Sequence, residues 1–297
     1  MNKPKIIAIV GTTASGKSSL GIELAKIFNA EVVSADSRQI YKGLDLGTGK
    51  VTPEEIEGVP HHMLDIIEPN TPYSLAEYQK AAYKVIDDIL SRGKLPIIVG
   101  GTGLYTRAII EGYDLNSAEP NIDLRNELNG KSATELVDIL KSLGAKEIQE
   151  PENPRRLIRQ IEKIKSGKNN IPQNKPRYDV LQIGITFDRE ILYNRIEERL
   201  DMRINDGMIE EIKSLLDNGA TTEFMEGLGL EYRYTTRYIL GKYPSFEDYR
   251  TELLKEIRHF AKRQMTWFRK EKNITWLNEK GNYLEESKQL IEQFIKK

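Results

Sequence analysis

The chain of 297 residues has no cysteine and only three histidines, His61, His62 and His259. The lack of cysteine excludes disulfides, a thiol nucleophile and a zinc site with thiolate ligands. With so few histidines, acid–base chemistry falls most naturally to carboxylates. The sequence also lacks a run of about 18 apolar residues and an N-terminal signal sequence, so we expect a cytoplasmic protein with no membrane partner.

Net charge is scarce too, at −1, but the basic residues are unevenly distributed. Residues 151–177 carry eight Lys/Arg against two acids, and residues 255–272 carry seven against two. Two separated basic blocks in a nearly neutral chain are typical of a localised polyanion footprint. An ordinary solvated surface would have the same composition, so charge alone leaves both interpretations open.

The most informative motif that is present lies at 11–18, where the sequence reads G-T-T-A-S-G-K-S. This is the phosphate-binding pattern G-x-x-x-x-G-K-[ST], and its context is appropriate. The apolar run 6–10 before it predicts a strand, and apolar residues at helical spacing follow it as far as Asn29. Such a loop directs backbone N–H groups and a helix dipole at a diphosphate. Lys17 would neutralise phosphate oxygens and the Ser18 hydroxyl would reach Mg²⁺, but the motif does not say which polyphosphate binds.

Alternating strand and helix patterns predict an α/β fold with a mostly parallel, P-loop-like sheet flanked by helices. The polar stretch 113–176 is expected to form a helical insertion domain, leaving 1–112 and 177–297 as the catalytic core. Strands are predicted at 6–10, 31–35, 95–99, 180–186 and 274–277, and helices at 75–91, 123–129, 132–142, 153–166 and 251–270.

Sites in such folds lie at the carboxyl ends of the strands, where three unusual loops are predicted to meet. They are the phosphate loop, residues 36–39 and the glycine-rich residues 100–103. Asp36 at the end of the second strand could accept a proton from a nucleophile aligned on the bound ester, or it could cap a following helix. The glycines of the third loop would allow a ligand or backbone to approach closely.

These motifs together resemble the tRNA dimethylallyltransferase family, of the bacterial type without a cysteine–histidine finger after residue 270. The resemblance spans about residues 5–270 and rests on G-T-T-A-S-G-K-S, D-S-R-Q-I-Y at 36–41, D-L-G-T at 45–48, H-H-M-L-D at 61–65, G-G-T-G-L-Y at 100–105, N-P-R-R at 153–156, L-Y at 192–193 and A-K-R-Q-M-T-W-F at 261–268. It implies transfer of a dimethylallyl group from dimethylallyl diphosphate to N6 of the adenine that follows the anticodon, with Mg²⁺ as cofactor. The insertion would grip the anticodon stem-loop of tRNA, and we expect a monomer.

The resemblance also implies roles for particular residues. Asp36 would be the general base, Thr102 would orient the amine and Lys17 would stabilise the leaving diphosphate. The expected diphosphate site consists of Gly11, Thr12, Thr13, Ala14, Ser15, Gly16, Lys17 and Ser18, with the loop N–H groups of 13–18 as donors, together with Arg195 and Arg199. The expected tRNA contacts, to a flipped base and to phosphates, are Asp36, Ser37, Arg38, Gln39, Thr102, Arg125, Arg155, Arg156, Leu157, Ile158, Arg159, Arg258, Lys262, Arg263 and Gln264.

Three of these features have plainer explanations that the sequence leaves open. Arg195 and Arg199, four apart on one helical face, are a diphosphate clamp or surface charge. Trp267 either contacts a base or belongs to the core. The pair His61-His62 has no third ligand at a helpful spacing, so we interpret it as a support for the Asp36 loop and not as a zinc site.

The sequence departs from the family pattern at three places. Thr12 stands where proline is usual, and Gly49 where alanine is common. Residues 227–232 read G-L-G-L-E-Y where Ile-Gly-Tyr-Lys-Glu is usual. The missing lysine puts in doubt any tRNA contact made by that segment.

Three other functions share part of the pattern. A nucleotide or small-molecule kinase would have the ATP-binding P-loop and the acid but no need of the basic insertion. An adenylate isopentenyltransferase would keep the donor site and act on a free nucleotide. A non-catalytic RNA-binding protein would have little use for both Lys17 and Asp36.

Overall fold

The computed structural model describes residues 3–115, 121–145, 147–148, 150–167, 174–278 and 280–297. In these ranges it has six strands in one sheet: β1 (Lys5–Gly11), β2 (Ala30–Ser34), β3 (His61–His62), β4 (Leu95–Gly100), β5 (Asp179–Thr186) and β6 (Ile274–Asn278). Their order is β3-β2-β4-β1-β5-β6, and every neighbouring pair is parallel. The predicted α/β fold is confirmed, and β3 is the one strand that the sequence did not predict.

Thirteen helices occur in the same ranges. They are α1 (Lys17–Phe28), α2 (Pro53–Ile56), α3 (Leu75–Ser91), α4 (Gly103–Ile110), α5 (Ile122–Leu128), α6 (Ala133–Ser142), α7 (Pro154–Lys165), α8 (Arg189–Asn205), α9 (Met208–Asp217), α10 (Thr222–Leu228), α11 (Leu230–Ile239), α12 (Phe246–Phe268) and α13 (Tyr283–Lys296). Helix α1 ends as predicted at Asn29, which adopts the left-handed conformation of a helix C-cap.

The sheet is covered on both faces, as a parallel sheet requires. The alternation of side chains along β1 separates the two cores: Ile7 and Ile9 pack with α1 and α13, and Ile6 and Ala8 pack with α3 and α4. A third core joins α8 to α12. Among the described residues, no helix is both long and apolar enough to cross a membrane.

The chain divides into two compact units, Met1–Glu111 with Pro176–Lys297 and, separately, Gly112–Lys175. In the second unit, α5, α6 and α7 pack around a core of their own. Its ends are joined by a hydrogen bond of 2.8 Å from the Lys175 N–H to the Gly112 carbonyl. Residues 168–173 of the basic block at 151–177 lie outside the described residues.

The second unit corrects the expectation that Leu157 and Ile158 contact tRNA. Both are buried, and Leu157 is fully inaccessible in the core between α6 and α7. On an amphipathic helix, apolar residues of this spacing face the neighbouring helices, and only the charged residues between them reach solvent. The side chains of Leu157 and Ile158 therefore stabilise this unit and do not contact a ligand.

Candidate active site

The loops that follow β1, β2 and β4 meet at the carboxyl end of the sheet and line a cavity of about 840 Å³. The phosphate loop, the 36–39 segment and the 100–103 loop all contribute, as the sequence predicted for this edge. Helices α8 and α12 close the sides. Acidic, basic and apolar side chains therefore share one space, which is suited to a charged ligand with an apolar part.

The phosphate loop turns sharply into α1. Gly16 has φ 79° and precedes the first helical residue, Lys17, whose ammonium donates to the Thr12 carbonyl at 3.1 Å. Thr13, however, donates its N–H to Oε1 of Gln264 at 2.9 Å. The predicted run of donors at 13–18 is therefore shortened, because the Thr13 N–H is bonded to Gln264 and the Ser15 N–H to the Thr12 carbonyl at 3.4 Å.

Lys17 has an altered acidity in this setting. Burial, together with the positive charge of Arg199, lowers the pKa of Lys17 to about 8, although the carboxylate of Asp36 opposes the shift. A bound diphosphate would stabilise the charged form of Lys17, because an adjacent negative charge raises the pKa of an ammonium group.

Helix α8 presents three arginines to this cavity at four-residue spacing, Arg195, Arg199 and Arg203. Arg195 donates to the Ala14 carbonyl at 2.8 Å and its guanidinium stacks on Phe187. The clamp interpretation of Arg195 and Arg199 is thus favoured over surface charge. Sequence reasoning missed Arg203, although the same spacing would have indicated it.

Gly49 allows these arginines to reach the site. It has φ 62°, and a Cβ there would overlap the guanidinium groups of Arg199 and Arg203. The Gly49 carbonyl accepts a hydrogen bond from Arg199 at 3.4 Å. Glycine, in place of the alanine common in the family, therefore allows two buried arginines to pack closely against the backbone.

Asp36 follows β2 at the mouth of the cavity. Its Oδ1 accepts the Arg38 N–H at 2.9 Å, so the carboxylate closes a turn; no helix begins here, and the alternative of a helix cap is wrong. The next residue, Ser37, donates its N–H to Oγ1 of Thr102 at 3.3 Å. The structure thus brings the predicted base and Thr102 together from different strands.

Two other residues of this loop are held within the protein. Gln39 accepts from the Ser34 hydroxyl at 2.9 Å and donates to the Gly49 carbonyl at 3.2 Å. Arg38 lies over the Phe260 ring and 3.9 Å from Glu231. Both residues line the cavity, and the hydrogen bonds of Gln39 also hold the shape of the loop.

Glu231 lies within the segment 227–232, which departs from the family pattern. It is buried and pairs with Arg203 at 3.3 Å on one side and faces Arg38 on the other. Tyr232, next to it, donates to Glu211 at 2.9 Å. The departure at 227–232 thus includes an anion that compensates neighbouring arginines.

Helix α12 forms the remaining wall. Trp267 is half-buried and lines the cavity. Its indole ring packs against Gly103, which has no side chain. The group that closely approaches the glycine-rich loop is therefore this indole. Arg258 donates to Glu197 of α8 at 2.7 Å and lies over Tyr193, so this residue, expected to contact phosphate, is held between two helices. Lys262 and Arg263 are exposed.

The basic residues of the second unit differ in their surroundings. Arg125 and Arg159 both bind the buried carboxylate of Glu162, at 2.7 and 2.9 Å. Arg156 pairs with Glu150, and Arg155 is exposed. Each guanidinium remains on the surface of the unit, where it can also meet a phosphate.

The histidine pair serves the edge of the sheet. His62 contacts the buried Glu31 at 2.8 Å, and His61 bonds the Val59 carbonyl at 2.8 Å and lines the cavity. Hydrogen bonds from Arg92 hold the pKa of Glu31 well below its usual range. The pair therefore anchors the segment beside the Asp36 loop, in keeping with its interpretation as a support.

The described residues contain no group of three or more His, Cys, Asp or Glu side chains that would hold a metal ion unaided. Ser18 lies at the start of α1 and lines the cavity. This donor set fits an ion that is bound mainly by a diphosphate and water, as Mg²⁺ commonly is, with Ser18 as a protein ligand.

Comparison with known proteins identifies relatives of this chain. A model of the family described as IPP transferase matches residues 39–271, and one described as isopentenyl transferase matches residues 4–70. The tRNA dimethylallyltransferase of Oceanobacillus iheyensis is 40% identical over 97% of this chain and 96% of its own length. The tRNA dimethylallyltransferase 2 of Treponema denticola is 44% identical over 93% and 96%.

Solved structures are similar as well. The full-length tRNA isopentenylpyrophosphate transferase from Bacillus halodurans has a TM-score of 0.75 at 38% identity, covering 99% of this chain and 96% of that one. A eukaryotic dimethylallyltransferase acting on tRNA has a TM-score of 0.76 at 27% identity, covering 93% of this chain and 74% of that one.

A parallel α/β sheet with the motif G-x-x-x-x-G-K-[ST] at the end of its first strand defines a P-loop-like protein. Within that class, the chain belongs to the IPP transferase family. The family predicted from the motifs is therefore confirmed, and with it the enzyme class, a prenyl transferase.

Proposed function

We propose that this protein transfers a dimethylallyl group from dimethylallyl diphosphate to N6 of the adenine that follows the anticodon in tRNA, releasing diphosphate. The observation that carries the proposal is the convergence of Lys17 and Asp36 in one cavity of a chain of this family. The first is suited to a leaving diphosphate and the second to an amine that must lose a proton.

The donor would lie with its diphosphate against the phosphate loop. Developing negative charge on the leaving oxygen would meet Lys17, Arg195 and Arg199 and the loop N–H groups after Thr13. When bound, Mg²⁺ would supply further stabilisation of that charge, with the Ser18 hydroxyl among its ligands. Met202 and Leu104, apolar side chains that line the same cavity, offer a surface to the isoprenoid part.

The acceptor would enter from the side of Asp36 and Thr102. The N6 lone pair forms a bond to the first carbon of the dimethylallyl group as the carbon–oxygen bond to diphosphate breaks and its electron pair leaves with the diphosphate. The N6 proton passes to the Asp36 carboxylate, and Thr102, held beside the Asp36 loop, orients the amine. The adenine must leave its stack to reach this depth.

The tRNA would be held through its phosphates and single-stranded bases. Exposed cations on α12, Lys262 and Arg263, and on α7, Arg155 and Arg156, support contacts to the anticodon stem-loop. Arg38 and Ser37 line the cavity and support contact with the flipped base. We propose a monomer, acting in the cytoplasm where tRNA is available.

The test offers the purified protein dimethylallyl diphosphate and Mg²⁺ with three acceptors. They are an anticodon stem-loop with adenine after the anticodon, the same stem-loop with guanine there, and AMP. We expect prenyl transfer to the first alone. Transfer to AMP would indicate an adenylate isopentenyltransferase. No transfer to any acceptor, with ATP consumed in a parallel assay that supplies ATP and a small-molecule acceptor, would indicate a kinase.

A further inference from the structure

Gln264 connects two loops of the cavity through a single side chain. It is buried on α12, and its Oε1 accepts the Thr13 N–H at 2.9 Å. Its Nε2 donates to the Gly101 carbonyl, also at 2.9 Å. One amide therefore joins the loop after β1 to the loop after β4, and both of its polar atoms are satisfied within the protein.

Each loop carries a residue of the proposed reaction next to the point of attachment. Lys17 donates to the carbonyl of Thr12, the neighbour of Thr13. Thr102 follows Gly101 directly and receives the hydrogen bond from the Asp36 loop. Fixing Thr13 and Gly101 to one amide therefore fixes the donor side of the cavity against the acceptor side.

The side-chain amide of Gln264 is closely packed against Gly101. A Cβ at Gly101 would come within 2.8 Å of Nε2 of Gln264 and 3.4 Å of Cε of Lys17. The absence of a side chain at Gly101 thus permits the approach of α12 and leaves room for the Lys17 side chain beside the same loop. An error of about 1 Å in the placement of reacting groups can cost roughly a hundredfold in rate.

We propose that Gln264 is a positioning residue that holds the phosphate loop and the 100–103 loop in register for prenyl transfer. This role rests on the proposed function and replaces the expected contact of Gln264 with a base of the tRNA. It also explains the use of the Thr13 N–H, which maintains the loop and leaves diphosphate binding to other N–H groups of the loop.

The test compares Gln264→Met, which removes both hydrogen bonds at similar length, with Gln264→Glu, which keeps the acceptor for Thr13. The matched control is Thr266→Ala, an exposed residue of α12 whose hydroxyl bonds only its own helix. The measurements are kcat and KM for dimethylallyl diphosphate, the Kd of the stem-loop, and unfolding in urea.

We expect Gln264→Met to lower kcat/KM for dimethylallyl diphosphate by roughly tenfold or more, with the stem-loop Kd within about twofold of the parent. In Gln264→Glu the ionised carboxylate repels the Gly101 carbonyl, whereas the protonated form donates to it. Its activity relative to the parent should therefore rise as the pH falls. Gln264→Met should show no such recovery, and Thr266→Ala should match the parent.

Unchanged kinetics in both variants would overturn the proposal, and so would a loss confined to stem-loop affinity, which would return Gln264 to base contact. If Gln264→Met does not fold, the pH-dependent recovery of Gln264→Glu decides. If the parent protein transfers no prenyl group, the proposed function fails separately. Calorimetry with inorganic diphosphate then tests the loop geometry: binding by Gln264→Met should be about tenfold weaker, and equal affinities would overturn it.

Discussion

At the scale of the residue, the carboxylate of Asp36 is the group on which proton removal depends. Asp36→Asn keeps an oxygen to accept the Arg38 N–H, so the turn should persist while the base is lost. We expect kcat to fall by roughly 10²–10⁴-fold, the usual contribution of a general base. Single-turnover prenyl transfer measures this loss.

The matching control is Asp217→Asn, the same change at an exposed position at the end of α9. It should leave kcat unchanged, and stem-loop affinity should be retained in both variants. Near-normal turnover by Asp36→Asn with intact RNA binding would show that another group takes the proton.

Lys17 makes donor binding sensitive to pH. Its pKa is lowered to about 8 by burial, so the free protein loses the ammonium charge as the pH rises through that value. We therefore expect KM for dimethylallyl diphosphate to rise above pH 8 and to be flat below it, because only the charged form attracts the diphosphate. Steady-state kinetics across this range measure the change.

Lys17→Arg supplies the comparison, since a guanidinium keeps its charge over the whole range. Whatever its absolute value, the KM of Lys17→Arg for dimethylallyl diphosphate should not rise above pH 8. The same upward slope in both proteins would assign the titration to another group.

At the scale of the element, α8 and α11 are joined by the buried ion pair between Arg203 and Glu231. Glu231→Lys removes the buried anion and places a third cation beside Arg203 and Arg38. We expect it to destabilise the protein by about 3–5 kcal/mol, the cost of breaking a buried pair. Urea unfolding measures this loss, and Glu223→Lys, an exposed change on α10, should stay within about 0.5 kcal/mol.

Helix α12 separates two residues that the sequence treated alike. Lys262 is exposed, so Lys262→Gln should reduce the salt dependence of stem-loop binding by about one charge. Arg258 is held by Glu197, so Arg258→Gln should leave that slope unchanged and cost about 1 kcal/mol of stability. Stem-loop titrations at several salt concentrations measure the slopes, and equal slopes for the two variants would contradict the assignment.

These elements also show what a sequence can predict. The α/β class and five of the strands followed from hydrophobic periodicity, whereas β3 and helices such as α4 did not. The phosphate loop and Asp36 followed from motifs at strand ends. The partners of Gln264 and Arg258 could not be predicted, because they depend on which side of α12 faces α8 and the loops. Leu157 and Ile158 were misassigned because their motif was considered without the amphipathic pattern of α7.

At the scale of the whole molecule, the unit Gly112–Lys175 has its own core and adjacent ends. Replacing it by a short Gly-Ser linker should leave the remainder folded and able to bind inorganic diphosphate with unchanged affinity. Stem-loop affinity should fall by roughly tenfold or more, because the cations of α7 are lost. Calorimetry with both ligands measures the two affinities, and full retention of RNA binding would place the RNA elsewhere.

The order of strands makes the spacing of the proposed catalytic loops insensitive to side-chain substitution. The loops that carry Asp36, Thr102 and Lys17 follow β2, β4 and β1, three adjacent strands of the sheet. Adjacent strands are held about 4.8 Å apart by backbone hydrogen bonds, which no side-chain substitution alters. Substitutions in the surrounding helices therefore leave the spacing of these three strands unchanged, and the contacts of Gln264 have only to adjust the loops that follow them.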